Sequence, residues 1–345
     1  MRPFEFSRAD TVQAAINEQV ISDTRTDGAS VHAPNQYVAG GTTLIDLMKL
    51  DVMRPQSVTD INALEHTPSG EINFGPHGLH LGALVRMSAA ASHPDVLKNY
   101  PVIAQALALA ASPQIRNMAS LGGNVLQRTR CTYFRDTSYS ACNKREPGSG
   151  CAALQGINRS HAVLGVSDHC IATYPGDFAQ ALIALDAEIE IAGPKGSRTL
   201  PFAKLHRLPG DAPHVETTLA PGELILAFMI PSAPWTRRSL FLKIRDRQSY
   251  EFALASAAVA LDLDGGTVRQ TRIALGGVSA TPWRSHAAEQ KLRGRKIDDA
   301  TLHEAAEAAF EQAKPRAHNA FKIQLGKLTL MRAMRQAATM ELQYD

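Results

Sequence analysis

The chain has 345 residues, 44% hydrophobic and 20% charged, the balance of a globular protein with a large buried core and, at this length, two or three domains. Its 36 Lys and Arg face 33 Asp and Glu for a net charge of +3, too even for nucleic acid or an anionic membrane to be the main partner. The segment MRPFEFSRADTVQAAINEQV lacks a basic run followed by an apolar stretch, and no stretch reaches the roughly 18 apolar residues of a membrane span. No membrane insertion is therefore expected; the protein is expected in the cytoplasm or, carried folded by a signal-bearing partner, in the periplasm.

In chain order, a helix is expected over residues 11–18 and a strand over 36–39. GGTT then breaks the strand, and Leu44, Leu47 and Met48 resume with helical spacing. Residues 54–71 are strand-like and turn-rich, and LHLGALVRM reads as a further strand. PVIAQALALAAS is apolar nearly all round and predicts a long buried helix over 100–112, followed by SPQIRNMASLGGNVLQR as a loop with a second Gly-Gly pair. GDFAQALIALDAEIEIAG predicts a helix leading into a strand, and PGELILAFMIPSAP a strand stopped by prolines. Beyond Trp235 the pattern is one of antiparallel strands, one pair joined by a hairpin turn at DGG. Helices over 299–313 and 321–340 close the chain as an α+β unit.

YVAGGTTLIDLMKL sets Gly40 and Gly41 where a strand turns into a helix that Thr42 or Thr43 can cap. Backbone N–H groups in such a turn can close on an anion, a diphosphate being the natural occupant, with help from the helix dipole. A plain tight turn would give the same residues, and the pattern is neither G-x-G-x-x-G nor a P-loop. ASLGGNVLQR repeats the device: Ser120, Gly122, Gly123 and Asn124 offer small side chains and donors for close approach. Two such loops suggest a large cofactor held at two points.

All four cysteines, Cys131, Cys142, Cys151 and Cys170, fall in one segment, separated by ten, eight and eighteen residues. These intervals match neither zinc knuckles nor the tight ferredoxin run, and disulfides fit poorly in a long chain of this kind. The segment is polar, rich in Gly, Asn, Ser and Arg, so burial of its thiols against a core is not expected. Four thiolates can hold either Zn²⁺ or a [4Fe–4S] cluster, and Arg128, Arg130, Arg135, Lys144, Arg145 and Arg159 supply cations for either. His161 and His169 read as exposed or structural, since four cysteines already complete a site.

Taken in order, VAGGTTLIDLMK, QIRNMASLGGNVLQ, GDFAQALIALDAEI, PGELILAFMIP and FLKIRDRQSYEFALASAAVAL resemble the FAD-binding medium subunit of molybdenum hydroxylases, the xanthine dehydrogenase and aldehyde oxidoreductase family, over about residues 1–340. The cysteine segment is similar to that of the bacterial aldehyde oxidoreductase branch, whose flavin subunit carries an extra [4Fe–4S] cluster in an inserted loop; a related insertion occurs in 4-hydroxybenzoyl-CoA reductase. The resemblance implies an α+β protein. Two α/β FAD-binding subdomains of the vanillyl alcohol oxidase and para-cresol methylhydroxylase type would span residues 1–54 and 55–232, the second carrying an iron–sulfur loop at 127–175. A C-terminal α+β domain of the CO dehydrogenase flavoprotein kind would follow at 233–345.

By the same resemblance, Ala39, Gly40, Gly41, Thr42 and Thr43 line the FAD pyrophosphate, and Ser120, Gly122, Gly123 and Asn124 form the second FAD loop. Asp177 helps to hold the cofactor, and Lys243 lies close to the isoalloxazine ring, where its charge favours the reduced, anionic flavin. Cys131, Cys142, Cys151 and Cys170 become cluster ligands. Without the resemblance, Asp177 reads as a helix N-cap and Lys243 as a solvated strand lysine. The implied partners are a large subunit with the molybdenum cofactor, a small subunit with two [2Fe–2S] clusters, and an external electron acceptor. The implied function is electron transfer in an aldehyde oxidoreductase, and with no segment suited to NAD, a different acceptor is expected. The same scaffold would serve hydroxylases of N-heterocycles, purines or aroyl-CoA thioesters. A structural subunit with a Cys₄ zinc site and plain glycine turns is the reading from another class.

Overall fold

The computed structural model describes residues 1–20 and 30–342. Strands β1 (Glu5–Arg8), β2 (Asn35–Val38) and β3 (Ser57–Asp60) form a parallel sheet in the order β1-β3-β2. Parallel neighbours need crossovers; the helix Val12–Val20 lies between β1 and β2, and the helix Leu44–Lys49 between β2 and β3. Because β3 is the middle strand, the expected boundary at residue 54 cuts this sheet and has to move beyond residue 60.

A second, antiparallel sheet joins β4 (Ile72–Gly75), β5 (Gly78–Gly82), β6 (Glu188–Gly193), β7 (Gly196–Pro201) and β8 (Leu224–Pro231) in the order β4-β5-β8-β6-β7. Leu81 lies opposite Phe228, so β5 is followed by a long excursion before its partner β8 arrives. That excursion carries the second glycine pair and the cysteine segment. The helices Pro101–Ala108 and Phe178–Ala184 pack with Leu79, Leu81, Ile189 and Phe228 in one core.

The third sheet, β9 (Ser239–Ile244), β10 (Ala255–Asp264), β11 (Thr267–Gly276) and β12 (Trp283–Arg284), is antiparallel in the order β12-β11-β10-β9. The turn at DGG closes with Asp264 opposite Thr267. Alternation explains the run ASAAVAL, because side chains of a strand point to opposite faces. Val259, Leu261, Ile273 and Leu275 meet the helices His286–Leu292, Asp299–Phe310 and Phe321–Ala338, while the smaller Ala258, Ala260 and Ala274 join the core of the second sheet. Small residues on that face let the two units approach closely.

The helix expected over 100–112 is shorter, Pro101–Ala108, and Ala111 takes a left-handed φ of 46°. The stretch read as a loop holds two further helices, Pro113–Met118 and Leu121–Val125. Ser112 and Ser120 cap them, their hydroxyls accepting from the Ile115 and Gly123 N–H groups at 3.3 and 3.2 Å.

Phe228 is fully buried and makes edge contact with the Phe178 ring at 5.6 Å between centroids. Phe228→Ala is expected to cost about 3–5 kcal/mol. In a denaturant titration this appears as a lower midpoint at unchanged slope.

Candidate functional site

The turn after β2 runs directly against the second glycine segment. Gly40 lies on the backbone of Met118 and Ala119, and a Cβ at Gly40 would run into the Met118 carbonyl oxygen. Gly41 takes φ +69°, a conformation that favours glycine, and its carbonyl accepts the Ile45 N–H at 3.0 Å as the helix Leu44–Lys49 begins. Arg86 ties the junction together from β5's side. Its guanidinium donates to the Met118 carbonyl at 2.8 Å, to Asn62 Oδ1 at 2.9 Å and to Glu65 Oε2 at 3.0 Å, and Asn62 Nδ2 in turn donates to the Ala39 carbonyl at 3.1 Å. Neither Arg86 nor Asn62 stood out in the sequence, since each works through backbone atoms of distant segments.

Both loops open on one cavity of about 560 Å³. Ala39, Gly40, Gly41, Thr42 and Thr43 line it from one side and Ser120, Gly122 and Gly123 from the other. This volume suits a cofactor of dinucleotide size, and two side-chain-free turns let the backbone approach it. Behind the second loop, the Tyr174 hydroxyl donates to the Val125 carbonyl at 2.9 Å, and His206 Nε2 lies 2.9 Å from the same oxygen. Burial lowers the His206 pKa to about 4, so a neutral ring makes this contact.

Three expected cofactor residues do not line that cavity. Asn124 is buried, with Nδ2 donating to Met87 Sδ at 3.3 Å. Asp177 and Lys243 meet each other at 2.6 Å, their side chains 4% and 1% exposed, and Lys243 Nζ also donates to the Leu109 carbonyl at 3.2 Å. Asp177 occupies the N-cap position of the helix Phe178–Ala184 without making a capping bond, and Lys243 is not solvated. Both residue-level alternatives therefore give way to a buried ion pair that fastens this helix to β9.

The four cysteines are free thiols. Contrary to the expectation from the polar segment, Cys131, Cys142 and Cys170 are buried, in one cluster with Val38, Leu47, Met48, Val58, Phe134 and Ile171; Cys151 packs against it. The first subdomain supplies the apolar wall that the segment lacks. Cys142 and Cys151 face each other across an isolated antiparallel bridge, Cys170 Sγ accepts the Ala172 N–H at 3.5 Å, and His161 Nε2 lies 3.1 Å from Cys131 Sγ. Burial pushes the Cys131 thiol up to about 12 and the Cys170 thiol up to about 11, so a bound cation is needed to make these sulfurs thiolates at neutral pH.

Most of the cations that the segment supplies have partners other than sulfur. Arg130 and Arg135 pair with Asp46 at 3.1 and 2.9 Å, and Arg159 pairs with Asp246 at 2.7 Å. Arg145 is buried and donates to the carbonyls of Tyr133 at 2.6 Å, Phe134 at 2.8 Å and Tyr139, so it shapes the loop. Arg128 and Lys144 meet Glu216 at 2.6 and 2.8 Å, beside Cys170 in the cavity wall. Burial opposes ionisation of Glu216, but the two cations outweigh it and hold its pKa down to about 2.

A two-loop cavity of this kind, on a parallel sheet followed by two antiparallel ones, suits a large cofactor such as a dinucleotide, and comparison with known proteins gives the family. Residues 3–233 match the FAD binding domain in molybdopterin dehydrogenase, and residues 241–337 the CO dehydrogenase flavoprotein C-terminal domain. The chain belongs to the FAD-binding subunits of the molybdenum hydroxylase family and is thus part of an oxidoreductase. It is 44% identical over 340 residues to the aldehyde oxidoreductase FAD-binding subunit PaoB of Escherichia coli (strain K12), covering 98% of this chain and 99% of that one. It is 25% identical over 347 residues to the glyceraldehyde dehydrogenase medium chain of Sulfolobus acidocaldarius, covering 98% and 100%. Among solved structures, CO dehydrogenase from Oligotropha carboxidovorans matches with a TM-score of 0.74 at 21% identity, covering 98% of each chain. Quinoline 2-oxidoreductase from Pseudomonas putida 86 matches at 0.73 and 23%, covering 98% and 97%. These structural matches establish the fold.

Gly40→Ala is expected to push the two loops apart and to lower the flavin retained per chain, read from flavin absorbance after desalting, with a smaller loss of melting temperature. The acid limb of stability is expected to carry the mark of Glu216. Its folded pKa lies below the ordinary 4.5, so its contribution is complete above about pH 4.5 and is lost as pH falls towards about 2. Denaturation midpoints across that window should fall less steeply in Glu216→Gln than in the unmodified chain.

Proposed function

We propose that this chain is the FAD- and [4Fe–4S]-containing electron-transfer subunit of a molybdenum-dependent aldehyde oxidoreductase. Its partners on this reading are a large subunit holding the molybdenum cofactor and a small subunit holding two [2Fe–2S] clusters. Electrons released from the aldehyde reach this chain through the small subunit and leave it to an external acceptor. Aldehyde as substrate is supported by the 44% identity to a protein named for aldehyde oxidation, over 98% of this chain.

The flavin supplies a two-electron store that also exchanges single electrons, and an iron–sulfur centre supplies single-electron transfer. The chain's own residues do the holding. Gly40, Gly41, Thr42 and Thr43, facing Ser120, Gly122 and Gly123, would bind the dinucleotide from two sides and keep bulky side chains out of its path. Cys131, Cys142, Cys151 and Cys170 would hold the cluster, walled from water by Val38, Leu47 and Met48.

The observation that carries the cluster assignment is the gathering of all four thiols of the chain in one largely buried group. Among the described residues no three His, Cys, Asp or Glu groups converge to hold a single ion.

Cys131→Ser and Cys151→Ser are expected to lower iron content sharply while a substantial part of the FAD stays bound, measured by iron and flavin assays on the purified complex. Unchanged iron in both variants would remove the cluster assignment.

A further inference from the structure

The group Arg128–Glu216–Lys144 has no task in the function described above. Two cations share one carboxylate, which leaves one net positive charge in a setting that water hardly reaches: the side chains of Arg128 and Lys144 are 8% and 12% exposed. Lys144 is the more firmly placed of the two. Its Nζ donates to Glu216 Oε1 at 2.8 Å and to the Pro213 carbonyl at 3.1 Å. The neighbouring Asn143 donates from Nδ2 to the His169 carbonyl at 2.9 Å, which pins this stretch beside Cys170. Lys144, Arg128, Glu216 and Cys170 all line the cavity that the glycine loops open on. Elsewhere in the segment, Arg130 and Arg135 share Asp46, Arg159 pairs with Asp246, and Arg145 donates to carbonyl oxygens. The positive charge of Arg128 and Lys144 lies in the wall that Cys170 shares with the cavity.

We propose that Lys144, balanced by Glu216, sets the reduction potential of the iron–sulfur centre. The inference rests on the cluster assignment made above. Reduction places one electron on the centre and so adds one negative charge there; no bond forms or breaks and no proton is taken up. A fixed cation in a poorly solvated wall stabilises that added charge far more than a solvated one would. Removing Lys144 should make the centre harder to reduce. Removing the charge of Glu216 should make it easier.

The test is a redox titration of the full chain in its complex, following the reduced iron–sulfur signal by EPR, with iron content measured on each sample. Lys144→Met is expected to move the midpoint potential down, Lys144→Arg to leave it near that of the unmodified protein, and Glu216→Gln to move it up. A purely structural disturbance would not produce opposite signs for the two partners. Should Glu216→Gln fail to fold for want of a counter-charge to two buried cations, Lys144→Met and Lys144→Arg decide the matter, because both keep the Arg128–Glu216 pair. Full iron with an unmoved potential in Lys144→Met would overturn the inference alone. Absence of iron from the unmodified chain would overturn the cluster assignment and this inference with it.

Discussion

The contact between Gly40 and the Met118 carbonyl is the constraint on which the site depends. It brings the turn of a parallel sheet against a segment inserted in an antiparallel one, at a distance that admits no side chain. Once those backbones meet, the cavity between the two glycine loops follows, and Arg86 and Asn62 hold the meeting point by bonding to the carbonyls of Met118 and Ala39. The glycines thus do two jobs at one place. They let two subdomains touch, and they leave peptide groups bare towards a cofactor.

The helix Leu44–Lys49 carries the same constraint into the thiol group. It begins at the first glycine turn, offers Leu47 and Met48 as the apolar wall of the cysteines, and holds Arg130 and Arg135 through Asp46. From the opposite side, the C-terminal helical region grips the same segment: Asn319 donates to the Ala162 carbonyl at 3.0 Å, and Lys322 donates to the carbonyls of Ser160 and Gly277 at 2.9 and 2.7 Å. Lys322 is fully buried, and a lysine in such a place keeps its hydrogen-bond partners close or loses its charge. A segment with little regular structure of its own is thereby fixed by the units around it, which is what the ligand set of the proposed cluster would require.

Elements with their own periodicity were legible. The run ASAAVALDLDGGTVRQTRIAL gave away β10, its turn and β11, and LILAFMIP gave β8. The apolar stretch after Pro101 was read too long, because Leu109 and Ala110 stay hydrophobic where the chain has already turned into the left-handed conformation of Ala111. β7, GSRTLP, has one exposed and one half-buried face and no apolar alternation to announce it. In the site, residue types marked out the two glycine turns that line the cavity and the four thiols that gather, but their surroundings were hidden. The walls of the cysteines, Val38 and Leu47, and the partners of the arginines, Asp46 and Asp246, lie far away in the sequence. A composition-based reading therefore took a buried group for an exposed one and assigned to sulfur the charges that carboxylates hold. The pairing of Asp177 with Lys243 was invisible for the same reason.

The most direct measurement is the content of flavin, iron and zinc in the purified full-length chain, alone and with its partner subunits, joined to EPR after dithionite reduction. One FAD and about four irons per chain, with a reduced [4Fe–4S] signal, is the result this account predicts. Flavin accompanied by zinc and no iron would contradict it, leaving a flavin subunit whose cysteines serve only to staple a loop.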